Sequence, residues 1–164
     1  MRNIKYEIND HPLITKEIIP HIEKSVSKFL DREWQVKSWK NLNDLASHPS
    51  AILSDNDYSI FVKLNQASSA RDQFEYEVKG LEVIREFSEV KTPLAIGVKT
   101  LDSCSLLIME ALKEVERKSC HWRDIGRSLA KLHKIKSDYF GFKRNFYQLI
   151  IKIIPQMVFF VKLF

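Results

Sequence analysis

Tyr58-Ser59-Ile60-Phe61-Val62-Lys63-Leu64, with Glu77 fourteen residues beyond the lysine, is the stretch on which the reading of this fold turns. The seven residues are dominated by β-branched and aromatic side chains, so they predict a strand, with Lys63 close to its end. Glu77 falls inside the following helical pattern, three residues after Phe74 and four before Leu81, which puts it on the buried face or its border. A carboxylate held there needs a cationic partner, and Lys63 is the candidate. A lysine placed to neutralise phosphate and a glutamate placed to hold that lysine are what a nucleotide site for phosphoryl transfer requires. Taken singly, each residue also has a plain reading: a strand-end lysine whose stem covers apolar surface, and an ordinary helix glutamate.

Elements on both sides extend the pattern. Upstream, Ile14, Ile18, Ile22, Val26, Phe29 and Leu30 recur at helical spacing, with Pro20 near the start of the helix or at a kink. Trp34 to Trp39, Ala51 to Ser54 and Tyr58 to Leu64 predict an antiparallel meander, with Ser54-Asp55-Asn56-Asp57 turning between the last two strands. Ser69 and Asp72 offer a capping box for the helix that carries Glu77, whose stripe is Phe74, Val78, Leu81 and Val83 or Ile84. After Pro93, Leu94 to Val98 and Leu106 to Met109 predict a hairpin turning at Asp102-Ser103, and Glu110-Ala111-Leu112 leaves the sheet. Trp122, Ile125, Gly126, Leu129, Leu132 and His133 share a face of a later helix, where the histidine reads as a packed structural residue.

Composition narrows the function classes. The formal charge of +5 is modest, and Lys113, Arg117 and Lys118 are interrupted by Glu114 and Glu116, so nucleic-acid binding is not expected. Cys104 and Cys120 form no CxxC pair, and no histidine stands at metal-ligand spacing. The charged N-terminus lacks the apolar core of a signal peptide, and a reducing cytoplasm is the expected compartment.

Five blocks in register, Ile60 to Asn65, Phe74 to Val78, Leu107 to Leu112, Gly126 to His133 and Phe140-Gly141-Phe142, together resemble the fructosamine kinase (ketosamine-3-kinase) family over about Val36 to Phe142. The resemblance implies an α+β fold: a protein-kinase-like N-terminal lobe, an antiparallel sheet plus helix, with the start of a helical C-terminal lobe. It implies ATP with magnesium as cofactor and a ketosamine sugar hydroxyl as the phosphorylated group, a deglycation reaction. Lys63 would orient the α- and β-phosphates, Glu77 would anchor Lys63, and Glu110, Ala111 and Leu112 would hold adenine through their backbone. The expected organisation is a lobe with hinge over 1–112, a linker and first helix over 113–145, and an apolar tail over 146–164.

Departures from the family pattern qualify this. The turn that would cover the phosphates, Asn41 to Pro49, has no glycine, and Asn43 and Asp44 are the residues in it that best tolerate positive φ. The family's catalytic aspartate and magnesium ligands are expected downstream of this chain, so no catalytic residue and no metal ligand is assigned, and a second chain supplying the missing lobe stays open. The tail from Phe146 lacks acidic residues, and Lys152, Pro155, Gln156 and Lys162 interrupt it, so it does not predict a membrane span, while docking on a membrane or partner stays open as an alternative. Read from the third base of codons that fit Ile150 to Val158, the same DNA can encode Asn-Lys-Asn-Asn-Thr-Pro-Asn-Gly, a polar loop of the kind the family places there. A frameshift near Asn145, leaving an inactive remnant, is therefore a further expectation.

Overall fold

The computed structural model describes residues 11–88, 90–113 and 119–134. The N-terminal residues before His11, the Phe140-Gly141-Phe142 block and the tail from Phe146 lie outside the described residues.

The described elements run in the order α1 (Ile18–Leu30), β1 (Ser38–Asn41), a 3-10 turn (Asn43–Leu45), β2 (Ser50–Ser54), β3 (Ser59–Asn65), α2 (Ala70–Phe87), β4 (Ala95–Leu101), β5 (Cys104–Glu110) and α3 (Ser119–Leu132). The five strands make one sheet in the order β1-β2-β3-β5-β4, with every neighbouring pair antiparallel. This is the mixed fold expected, an antiparallel sheet with helices. The chain divides into two compact units, one running through Glu75 together with Leu94–Ala111, the other comprising Tyr76–Pro93 and the residues from Leu112 onward. No helix among the described residues is long and apolar enough to cross a membrane.

The core of the first unit lies on one face of the sheet. Ile60, Val62 and Leu64 of β3 alternate toward it, joined by Ala51 and Leu53 of β2 and by Cys104, Leu106 and Ile108 of β5. α1 supplies Ile18, Ile19, Ile22 and Val26, which fill the same cluster. Thr15 Oγ1 accepts the Ile18 N–H at 3.1 Å and so serves one of the orphan donors at the helix start. Pro20 stands in the first turn, where its missing N–H costs nothing. The helix stops because Asp31 takes a left-handed conformation (φ 51°) and returns its N–H to the Ser27 carbonyl.

Several expectations shift in detail. Phe29, expected in the apolar stripe, is exposed, because the stripe narrows to Ile22 and Val26 toward the helix end. The first strand begins at Ser38 and not at Trp34. Trp34 and Val36 are buried, but their backbone groups bond to α1 side chains, Trp34 N–H to Ser27 Oγ and Val36 N–H to Glu23 Oε1, before the ladder begins. Lys63 is not terminal, since β3 continues two residues further to Asn65. His133, read as packed, is exposed at the first position after α3, and Trp122 is also exposed, whereas Ser128 is buried.

Candidate functional site

β3 is the middle strand of five, and Lys63 sits inside it, opposite Ser50 of β2 on one side and Leu107 of β5 on the other. Because side chains alternate along a strand, Lys63 points away from the α1 core, to the face shared by Phe61, Asn65, Ser105, Leu107 and Met109. All six are buried, with Lys63 only 5% exposed. A cation in so apolar a setting acts on a bound anion with less solvent screening than a surface lysine does.

Asn65, two residues on and on the same face, anchors the start of α2. Its Nδ2 donates to Gln73 Oε1 at 3.0 Å while its Oδ1 accepts the Ala67 N–H at 2.9 Å. Gln73 Nε2 then donates to Ser69 Oγ at 2.9 Å, closing the first turn of the helix upon itself. Glu77 stands four residues, about one helical turn, after Gln73 and is half-buried. It belongs to the second unit, as does Leu112; Lys63, Glu110 and Ala111 belong to the first.

At the end of β5 the backbone is partly committed. Glu110 N–H donates to the Leu94 carbonyl at 2.9 Å and Ala111 N–H to the Ser59 carbonyl at 3.0 Å. The Glu110 carboxylate accepts a long bond from Leu94 N–H, 3.4 Å. It also influences Tyr58, whose phenol is pushed above its usual range first by burial and then by the negative charge of Glu110.

The glycine-free turn between β1 and β2 is built from asparagine side chains. Asn41 Oδ1 accepts the Asn43 N–H at 2.8 Å, and Asn43 Oδ1 accepts the Ser50 N–H at 2.9 Å. Leu42 N–H donates to the Ser50 carbonyl, and Leu45 and Ala46 N–H turn back onto Leu42 and Asn43 in the 3-10 turn. Neither Asn43 nor Asp44 has positive φ. Among the described non-glycine residues that conformation falls on Asp31 and on Asn56, in the β2–β3 turn. One residue was overlooked in the sequence: His11, 5% exposed, which reaches Asn43 with its ring. A histidine followed by proline ahead of a helix carries no periodic signal, so only the tertiary contact reveals it.

On α3, Asp124 pairs with Arg127 at 3.5 Å on the exposed side, and His133 just beyond the helix is exposed, so neither stands in a closed site.

Comparison with known proteins follows the same lines. Curated proteins give no match. A solved structure of a protein from Haemophilus somnus 129PT, assigned as a fructosamine-3-kinase, superposes with a TM-score of 0.63 at 22% identity, covering 71% of this chain and 39% of that one. The chain thus spans well under half the length of that neighbour. A microcompartment-associated aminopropanol kinase gives a TM-score of 0.47 at 17% identity, covering 74% and 43% of the two chains, a likeness too slight to bear on the fold. A family model described as fructosamine kinase matches residues 18–156, reaching past Phe146 into the apolar tail. With most of its length matched by that model, the chain belongs to the fructosamine kinase family.

Proposed function

We propose that this chain carries the nucleotide-binding part of an ATP-dependent kinase that phosphorylates a sugar hydroxyl of a ketosamine. The observation that carries the reading is the buried Lys63 at the centre of the sheet of a chain that belongs to this family. Lys63 neutralises the α- and β-phosphates, and its apolar surroundings strengthen that attraction. Glu77 holds the ammonium group in place. Since the Glu110 and Ala111 N–H groups are spent on Leu94 and Ser59, adenine recognition falls to the Glu110 carbonyl, as acceptor, and the Leu112 N–H, as donor.

Among the described residues no group of three or more His, Cys, Asp or Glu could hold a metal ion, and no step is assigned to one. Phosphoryl transfer depends on positioning and on charge neutralisation around the γ-phosphate. Those groups, with the base that activates the sugar hydroxyl, belong in this reading to a further lobe. The isolated chain therefore binds ATP weakly and turns nothing over.

Titrating the purified 164-residue chain with ATP, and assaying it against fructosyl-lysine with ATP and magnesium, tests both halves. The expected result is weak binding that is lost in Lys63→Ala, with no product. Absence of ATP binding removes the nucleotide reading, and turnover that is lost in Lys63→Ala removes the half-enzyme reading. Sequencing the encoding DNA tests the frameshift: a shift near codon 145 should open a long frame with a His-Gly-Asp-type loop, and stops in every frame within a few codons would sink it.

A further inference from the structure

We infer that His11 is a positioning residue for the β1–β2 turn, fixing from outside the sheet the loop that covers the nucleotide phosphates. The inference rests on the nucleotide reading above and adds to it the device by which a turn without glycine keeps its shape.

Hydrogen-bond logic fixes the arrangement. A backbone N–H can only donate, so the Leu13 N–H at 3.3 Å from His11 Nδ1 makes that nitrogen an acceptor and leaves the ring proton on Nε2. Nε2 lies 3.0 Å from Asn43 Oδ1 and donates to it. The same rule confirms the amide orientation, because Asn43 Oδ1 also accepts the Ser50 N–H. One carbonyl oxygen thus ties together the segment before α1, the 3-10 turn and the first residue of β2. The ring is seated against Trp39 of β1, centroids 5.2 Å apart and tilted by 55°, and is almost wholly excluded from solvent.

A phosphate-covering turn has two requirements: backbone close to the ligand, and a conformation that holds before the ligand arrives. Glycine serves the first and weakens the second, since it loses more conformational freedom on ordering than any other residue. This turn has no glycine and no positive φ among its residues, and it is held instead by Asn41, Asn43 and His11. His11 is the one of the three that comes from another part of the chain. Its bond makes the conformation of the turn depend on the segment ahead of α1.

The test compares ATP with adenosine on the full chain, because only ATP presents phosphates to the turn. His11→Ala should weaken ATP binding by about fivefold, the worth of one net hydrogen bond, and leave adenosine binding within about twofold. Hydrogen exchange at the Ser50 amide should speed up in the same variant. His11→Gln, which retains an N–H donor, should recover part of the ATP affinity, and Asn43→Ala should reproduce the loss from the loop side if His11→Ala proves unstable. Equal losses for ATP and adenosine, an unchanged ATP affinity, or an unchanged Ser50 amide would overturn the assignment. Wild-type chain that binds neither ligand would instead overturn the nucleotide reading on which it stands.

Discussion

The two faces of the sheet are made from the same two central strands and differ in one respect. Toward α1, β3 and β5 present Ile60, Val62, Leu64, Leu106 and Ile108, a surface with no charge. Toward the other side the same strands present Phe61, Leu107 and Met109 interrupted by Lys63, Asn65 and Ser105, all six nearly inaccessible. Buried polar groups cost stability unless they are satisfied, and no buried side-chain nitrogen or oxygen among the described residues lacks a hydrogen-bond partner. The first face is accounted for by folding alone. The second retains polar groups, of which Asn65 anchors the start of α2, and Lys63 is the one that the proposed function assigns to a ligand.

The largest expected effect belongs to the first face. Leu106→Ala removes a side chain with no exposed surface from the α1 cluster and should cost about 3 kcal/mol, lost transfer energy plus the cavity left behind. Urea denaturation measures it. If Leu107→Ala, on the other face, costs more than Leu106→Ala, the division of labour between the faces fails.

Asp55 is the charge admitted on the α1 side, at the β2–β3 turn. Its carboxylate meets Arg32 at 2.7 Å and accepts the N–H groups of Asp57 and Tyr58. Burial works to raise its pKa, but the bonds from Tyr58, Arg32 and Asp57 together outweigh it and hold the group below the ordinary carboxylate value. A depressed folded-state pKa gives stability that is fully present above the unfolded pKa, about 4, and is lost as pH falls through the lower folded value. Asp55→Asn should therefore cost roughly 1–3 kcal/mol at neutral pH, and the gap from wild type should close below about pH 4. A gap that widens on acidification would reverse the assigned sign.

Much of this was legible in the sequence, and the misses have physical causes. The β4–β5 hairpin stood out because Asp102-Ser103 separates two β-rich runs, and the ladder pairs Leu101 with Cys104 across those two residues. The β2–β3 turn was legible for the same reason, and Asn56 takes the positive φ that asparagine tolerates. The strand edge at Trp34 was misplaced because alternation reports which side chains are buried, not which partner the backbone finds, and here it finds Ser27 and Glu23. Lys63 could be read from local pattern. His11 could not, because its role exists only through Asn43, thirty-two residues away.

Lys63→Met tests the second face directly. Methionine keeps most of the buried stem and removes the charge. ATP affinity should fall about tenfold, some 1.4 kcal/mol, with a smaller change in the urea midpoint than Leu106→Ala produces. A variant that binds ATP as well as wild type would reduce Lys63 to a buried cation with no part in the site.

The smallest effect should come from Glu110, and its smallness is informative. If adenine is held by the Glu110 carbonyl, the side chain is replaceable, and Glu110→Gln should leave ATP affinity within about twofold, since an amide oxygen can still accept the 3.4 Å bond from Leu94 N–H. The lost charge should register at Tyr58 instead. Burial keeps that phenol above its usual range, but the added push of the carboxylate disappears, so its ionisation should move partway back toward ordinary phenol, as read in the ultraviolet titration difference between wild type and Glu110→Gln. A large loss of ATP affinity with Tyr58 unmoved would transfer adenine recognition from the backbone to the carboxylate.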